Sequence, residues 1–140
     1  MFIDPASRSS GWSLFNGGSL VKSGTISISN DDPYRRLADI YDAYLALGFF
    51  LSQTGLRPGA VHVEQLPRSC HIYTHYSVGI IGAALCQTGA QVKGDVPIKA
   101  WQKHANWKAR LKDWAKEGYK SEDEFAAVCM GKYWLAERVA

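Results

Sequence analysis

Two apolar runs in this chain end in an acid: Phe2-Ile3 leads into Asp4, and Ala60-Val61-His62-Val63 leads into Glu64. A third acidic group, Glu122-Asp123-Glu124, stands between Ser121 and a run whose apolar residues Phe125, Val128, Cys129 and Trp134 suit a packed helix face. A carboxylate at the end of a buried strand is costly unless it is paired or holds a cation. Acids from two strand ends and one helix start can together hold two hard divalent cations, Mg²⁺ or Mn²⁺. Such ions activate a water and stabilise the departing oxygen during in-line attack on a phosphodiester. That chemistry needs carboxylates and no nucleophilic side chain.

Each acid also has a plainer reading. Asp4 suits an Asx-turn over Pro5 to Ser7, and Glu64 suits a salt bridge to Arg68 or Arg8. Ser121-Glu122-Asp123-Glu124 has the form of a capping box, and acids in a first turn favour the helix dipole whatever the function. The matched placement of Asp4 and Glu64 at two strand ends is what favours a shared site.

The elements that must position these acids follow from periodicity and turn chemistry. Residues 2–4 form a short strand, 12–15 a second run before Asn16-Gly17-Gly18, and 19–28 an alternating third run, so three antiparallel strands open the chain. Over residues 34–54 the positions Leu37, Ile40, Tyr41, Tyr44, Leu45, Leu47 and Phe50 recur at helical spacing behind an Asp/Pro start. After Gly55-Leu56-Arg57-Pro58-Gly59, residues 60–63 read as a buried strand parallel to the first. A helix over 71–85, a strand over 91–96, a basic helical region over 97–116 and a last helix capped by Ser121 complete the order. The expected fold class is α/β: a mixed sheet of three antiparallel strands plus parallel strands, flanked by helices, in one domain over 1–140. In open sheets of this kind reactive groups gather beyond the carboxyl ends of the strands, where Asp4 and Glu64 fall.

A chain of 140 residues with 46% apolar content has room for one core and too little for two ordinary domains. Its longest apolar stretches, 43–51 and 78–85, are far shorter than the ~20 residues of a membrane span, and the N-terminus has no signal pattern. A cytoplasmic protein is expected, with no membrane partner. Three cysteines, Cys70, Cys86 and Cys129, form no C-x-x-C pair and read as small core residues in a reducing compartment. The net charge is only +3, yet residues 93–120 carry Lys93, Lys99, Lys103, Lys108, Arg110, Lys112, Lys116 and Lys120 against Asp95, Asp113 and Glu117. Such a segment suits a polyanion, or is a solvated helix face; Trp101, Trp107 and Trp114 within it could stack on bases or belong to the core.

Other constellations carry less. His71 and His75 are four apart on a helix but lack the Glu that H-E-x-x-H zinc hydrolysis needs, and no nucleotide-binding glycine loop is present. Tyr73, Tyr76, Ile80 and Ile81 with Leu37, Tyr41 and Tyr44 read either as core or as a surface for a second copy.

The stretch Phe2-Ile3-Asp4-Pro5-Ala6-Ser7-Arg8-Ser9-Ser10-Gly11-Trp12 resembles the opening motif of RuvC-type Holliday junction resolvases, in the RNase H-like superfamily. Val61-His62-Val63-Glu64-Gln65 resembles the family's second motif, and the compact length resembles bacteriophage members, whose place of action would be the bacterial host cytoplasm. The resemblance implies a homodimeric, Mg²⁺- or Mn²⁺-dependent endonuclease for branched DNA such as Holliday junctions, forks or flaps, with two ions per site on Asp4, Glu64 and Asp123. It implies backbone contacts near the scissile phosphate from Lys99 and Lys108, and Arg8, Arg68, Lys103 and Arg110 are further candidates for contacting the DNA. The fourth motif departs from the pattern. In one register Asp123 is the first acid of the final pair and Ala126 stands where the second should be, in a naturally weakened or an inactivated site, with Glu124 as helper. In the other register Glu124 is the last acid and Ser121 its partner position. Two further readings stay open: a branched-DNA-binding module without turnover, and an RNase H-like nuclease for RNA–DNA hybrids.

Overall fold

The computed structural model describes residues 1–139. Five strands, β1 (Phe2–Asp4), β2 (Ser9–Asn16), β3 (Ser19–Ser27), β4 (Ala60–Glu64) and β5 (Gln91–Val96), form one sheet in the order β3-β2-β1-β4-β5. β1 runs antiparallel to β2 and parallel to β4, and β5 continues the parallel half. The mixed sheet expected from the sequence is therefore the observed one. The β2–β3 hairpin closes through Gly17 and Gly18, both with positive φ, as a two-residue turn whose twist matches that of the strands requires.

Helix α1 (Pro33–Gln53) starts where Asp32 caps it, accepting from the backbone N–H groups of Tyr34 and Arg35 at 2.9 and 3.0 Å, with Pro33 in the first turn. Gly55, with φ of +75°, turns the chain away after its last residue. α2 (Ile72–Gln87) packs beside α1, which it meets closely at Gly48: a Cβ there would lie 2.5 Å from Thr88. Together the two helices cover one sheet face. The core on that side joins Ile3, Val61 and Val63 of the strands to Ile40, Tyr44, Leu51, Ile81, Ala84 and Leu85 of the helices.

Most of this pair's apolar residues are core rather than surface. Tyr44 and Ile81 are fully buried, and Leu37, Tyr41 and Ile80 pack against them, whereas Tyr76 and Ile72 are exposed. The cysteines depart from expectation in part. Only Cys129 is buried in the core, its thiol pushed up to about 11 chiefly by burial; Cys70 is half-buried and Cys86 exposed.

The opposite sheet face is covered by α5 (Glu122–Val139) and α3 (Ile98–His104), with the single-turn α4 (Trp107–Arg110) beside them. The basic helical region expected over 97–116 is two short helices. Asn106, at positive φ, breaks it between them. The core here joins Phe2, Val96, Trp101, Phe125, Ala126, Cys129 and Met130.

α5 lies along β2 in a regular ladder. A Cβ on Gly11 would lie 1.8 Å from the Asp123 carbonyl oxygen, Ser13 donates to the Ala127 carbonyl at 2.7 Å, and a Cβ on Gly131 would lie 2.2 Å from the Phe15 ring. Steps of two along the strand and four along the helix cover about 6.8 and 6.0 Å, so the two elements stay in register over these contacts.

Candidate active site

Strand alternation decides which residues share a face. In β1 and β4, Ile3, Val61 and Val63 enter the α1–α2 core, while Phe2 and His62 stack on each other with centroids 5.3 Å apart on the α5 side. The parallel register pairs Phe2 with His62 and Ile3 with Val63. One step further along that register sets Asp4 beside Glu64, on the α5 side of the sheet, with adjacent strands about 4.8 Å apart. The β4–β5 pairing shifts register between His62 and Glu64, an irregularity of the kind that re-aims a side chain at a strand end.

Asp123 arrives through the α5 ladder. Asp4 pairs with Gly11 across β2, and the absent side chain at Gly11 is what lets the backbone of Asp123 settle over that position. Ser9 then donates to Asp123 Oδ2 at 2.6 Å. Burial raises the Asp4 carboxyl well above the ordinary range, and the negative charges of Glu64, Asp123 and Glu122 push it further the same way. Burial also raises Glu64, an effect opposed by a hydrogen bond from the Trp101 indole to Glu64 Oε2 at 2.6 Å. The ion pairs among the described residues are Arg8–Asp31, His62–Asp95 and Arg110–Glu117. Neither Asp4 nor Glu64 has a basic partner, so the salt bridge to Arg68 or Arg8 that suits Glu64 in the sequence does not form.

The other candidates separate into groups. Glu124 turns away from Asp4: its Oε1 accepts from Ser23 at 2.7 Å and its Oε2 from the Lys120 backbone at 2.8 Å, while its own N–H donates to Ser121 Oγ at 3.1 Å. This is a capping arrangement, and Glu122 replaces Glu124 among the acids that act on Asp4. Ser121 is held by a short hydrogen bond to Thr25. Ala126 is 3% exposed and lies in the apolar cluster with Phe2, Val96 and Trp101.

Of the basic candidates, Lys99, Lys103 and Lys108 are exposed on α3 and α4 and form no ion pair among the described residues. Arg68 lines an open groove of about 640 Å³ with Glu64, Gln65, Leu66, His75, Val78 and Gly94. Arg8 lies 3.5 Å from Asp31. Arg110 is engaged in the fold: it binds Glu117 at 2.7 and 3.0 Å, donates to the Ala105 carbonyl at 3.2 Å, and lies over the Phe125 ring. His71 caps α2, accepting from Tyr73 at 3.3 Å.

Sequence reasoning missed Ser9, Gly11 and Trp101. A signal for the first two was present: Ser9, Gly11 and Ser13 are alternate small residues on one strand face, a pattern that permits close approach of another backbone. Trp101 offered two readings, base-stacking or core. It is core, 1% exposed, and also hydrogen-bonded to the Glu64 carboxylate.

The donor chemistry of the site fits a hard divalent cation, because Asp4, Glu64 and Asp123 offer only oxygens and the crowding of negative charge on Asp4 is what a cation relieves. Among the described residues, no three His, Cys, Asp or Glu side chains are grouped closely enough to enclose an ion as they stand.

These features define an RNase H-like fold with acids at its parallel strand ends. The structure of T. thermophilus RuvC in complex with a Holliday junction substrate superposes with a TM-score of 0.69 at 18% identity, covering 99% of this chain and 94% of that one. A further Thermus thermophilus RuvC structure gives 0.62 at 17% identity, covering 97% and 94%. No protein-family model matches the sequence, and no curated protein matches it significantly. The chain has the RuvC-like fold over nearly its whole length. No helix among the described residues is long and apolar enough to cross a membrane.

Proposed function

We propose that this protein is a divalent-metal-dependent endonuclease that cuts branched DNA, acting as a two-fold dimer on junctions, forks or flaps. The observation that carries the reading is the placement of Asp4 and Glu64 at neighbouring strand ends under α5, with the Asp4 carboxyl raised by burial and by the charges of Glu64, Asp123 and Glu122 and no basic side chain offsetting it among the described residues. Asp4, Glu64 and Asp123 would hold Mg²⁺ or Mn²⁺; when bound, the ions supply an activated water and stabilise the leaving oxygen of a phosphodiester. Ser9 fixes Asp123 and Trp101 fixes Glu64. The exposed Lys99, Lys103 and Lys108 would contact the DNA backbone, with Arg68 on the groove beside Glu64. The fold of RuvC, known in complex with a Holliday junction substrate, supports branched DNA as the substrate.

The test is cleavage of labelled four-way junction, fork, linear duplex and RNA–DNA hybrid with Mg²⁺, Mn²⁺ or EDTA. Metal-dependent paired nicks in the junction are expected, and cutting of the hybrid alone would overturn the substrate assignment.

A second reading, a branched-DNA-binding module without turnover, is favoured by Ala126, which leaves one expected acid missing. Ala126→Asp separates the two. In EDTA the variant should lose about 2 kcal/mol or more, because a carboxylate enters apolar surroundings, and Mn²⁺ should return part of that stability. Tight junction binding with no cleavage by either chain would establish the binding module.

A further inference from the structure

Within the basic segment, Trp101 hydrogen-bonds an acid of the candidate site through its side chain. Its indole N–H lies 2.6 Å from Glu64 Oε2, and the ring is 1% exposed. Trp107 meets it edge-on at 5.0 Å and in turn packs against Phe125 of α5 at 5.4 Å. α3 itself is anchored directly after β5, where Val96 pairs with Glu64. An indole N–H can only donate, so Glu64 Oε2 is the acceptor. The contact occupies one oxygen of Glu64, while the other, Oε1, has no hydrogen-bond partner among the described residues.

On the reading of the site given above, we infer that Trp101 is a positioning residue, whose walled-in indole fixes the Glu64 carboxylate so that its second oxygen is presented to a divalent cation. Partners of this kind orient a ligating carboxylate and limit the conformations it must lose on binding. Packing and reach explain why the donor is a tryptophan: a Ser or Asn on α3 would fall short of Glu64 and leave the space beside Phe125 and Met130 unfilled.

The experiment compares the native chain, Trp101→Phe and Trp107→Phe. Both variants remove an indole from the same cluster, but only the first removes a donor to an acid. Mn²⁺ affinity is read from the free-ion electron paramagnetic resonance signal, and junction affinity is measured in EDTA. Trp101→Phe should weaken Mn²⁺ binding about 10-fold with junction affinity unchanged, and Trp107→Phe should leave Mn²⁺ binding near native. Equal Mn²⁺ affinities for the two variants would overturn the inference while leaving the nuclease reading intact. A native chain that binds no Mn²⁺ and cuts no junction would remove both. Should Trp101→Phe not fold, the indole N–H resonances of the native chain and Glu64→Gln decide. The Trp101 signal should move upfield when the acceptor loses its charge, and an unmoved signal sinks the proposal.

Discussion

The two faces of the sheet are built from the same strands and do opposite things. On the α1–α2 side, Ile3, Val61 and Val63 meet Ile40, Leu51, Ile81 and Leu85, and the polar contact within that core is a matched one, Ser10 to Tyr44 at 2.5 Å. On the α5 side the next residue along each strand is an acid, and the helix that covers it brings a third. A three-residue strand thus gives Ile3 to the apolar core and Asp4 to the acidic face. The difference teaches that period-2 alternation lets one short element carry a buried acid without diluting the apolar core behind it. The second face carries raised carboxyls that no basic residue offsets.

Substitutions at neighbouring positions should break this comparison most sharply. Asp4→Asn is expected to lower junction cleavage by several kcal/mol of transition-state stabilisation, about 10³-fold. In EDTA near neutral pH the same change should raise the melting temperature by about 4 °C, because it removes an ionisable group whose charged form burial and three acids disfavour. Ile3→Ala should do the reverse, costing about 2–5 kcal/mol of stability with cleavage per folded molecule near native. Nuclease assays paired with thermal unfolding check both. A destabilised Asp4→Asn would mean that the acid serves the fold.

Gly11→Ala probes how the two faces are joined. Its Cβ would lie 1.8 Å from the Asp123 carbonyl, so the first turn of α5 must lift away from β2. A stability loss of about 1–3 kcal/mol is expected from such overpacking, together with weakened Mn²⁺ binding because Asp123 moves with its backbone. Normal Mn²⁺ affinity in this variant would show that the ladder between β2 and α5 does not set the site.

The pH dependence sharpens the contrast. Asp4 and Glu64 bind protons more tightly in the native state than in the unfolded chain, since both are raised. Their contribution to metal-free stability is greatest below the ordinary carboxylate value of 3.8 for Asp and declines as pH rises through the native values. Urea midpoints of the native chain and Asp4→Asn should therefore nearly coincide at about pH 4 and diverge towards about pH 7, with the variant more stable. A constant difference across that window would show that Asp4 titrates normally.

The sequence made one half of this architecture readable and only part of the other. The hairpin at Gly17-Gly18, the Asp32 cap, β5 over Gln91–Val96 and the Ser121 start of α5 all follow from local rules of turn and cap chemistry. Asp4 and Glu64 were legible because each ends an apolar run, and their shared face follows from alternation. What local rules do not contain is the pairing of distant elements. The bonds from Ser9 to Asp123 and from Trp101 to Glu64 join residues 114 and 37 positions apart. Glu124 illustrates the same limit: the preferred register made it a helper beside Asp123, and the fold engages its carboxylate with the Lys120 backbone and with Ser23 of β3. The basic helical region divides in two for a local reason, the left-handed Asn106, which no Gly or Pro announces.

The smallest expected effect concerns the rim of the second face, where Lys99 and Lys103 stand one helical turn apart on α3 and exposed, beyond the buried Trp101. If they neutralise phosphates, each release of a counterion contributes about 0.9 to the slope of log affinity against log salt on duplex DNA. Lys99→Ala with Lys103→Ala should weaken junction binding at low salt and flatten that slope by about 2, with stability and Mn²⁺ affinity unmoved. Arg110→Ala makes the contrasting control. Its guanidinium is bound to Glu117 and stacked on Phe125, so its loss should lower stability and leave the salt slope near native. A reversal of the two outcomes would move the DNA contact from α3 to the α4 turn.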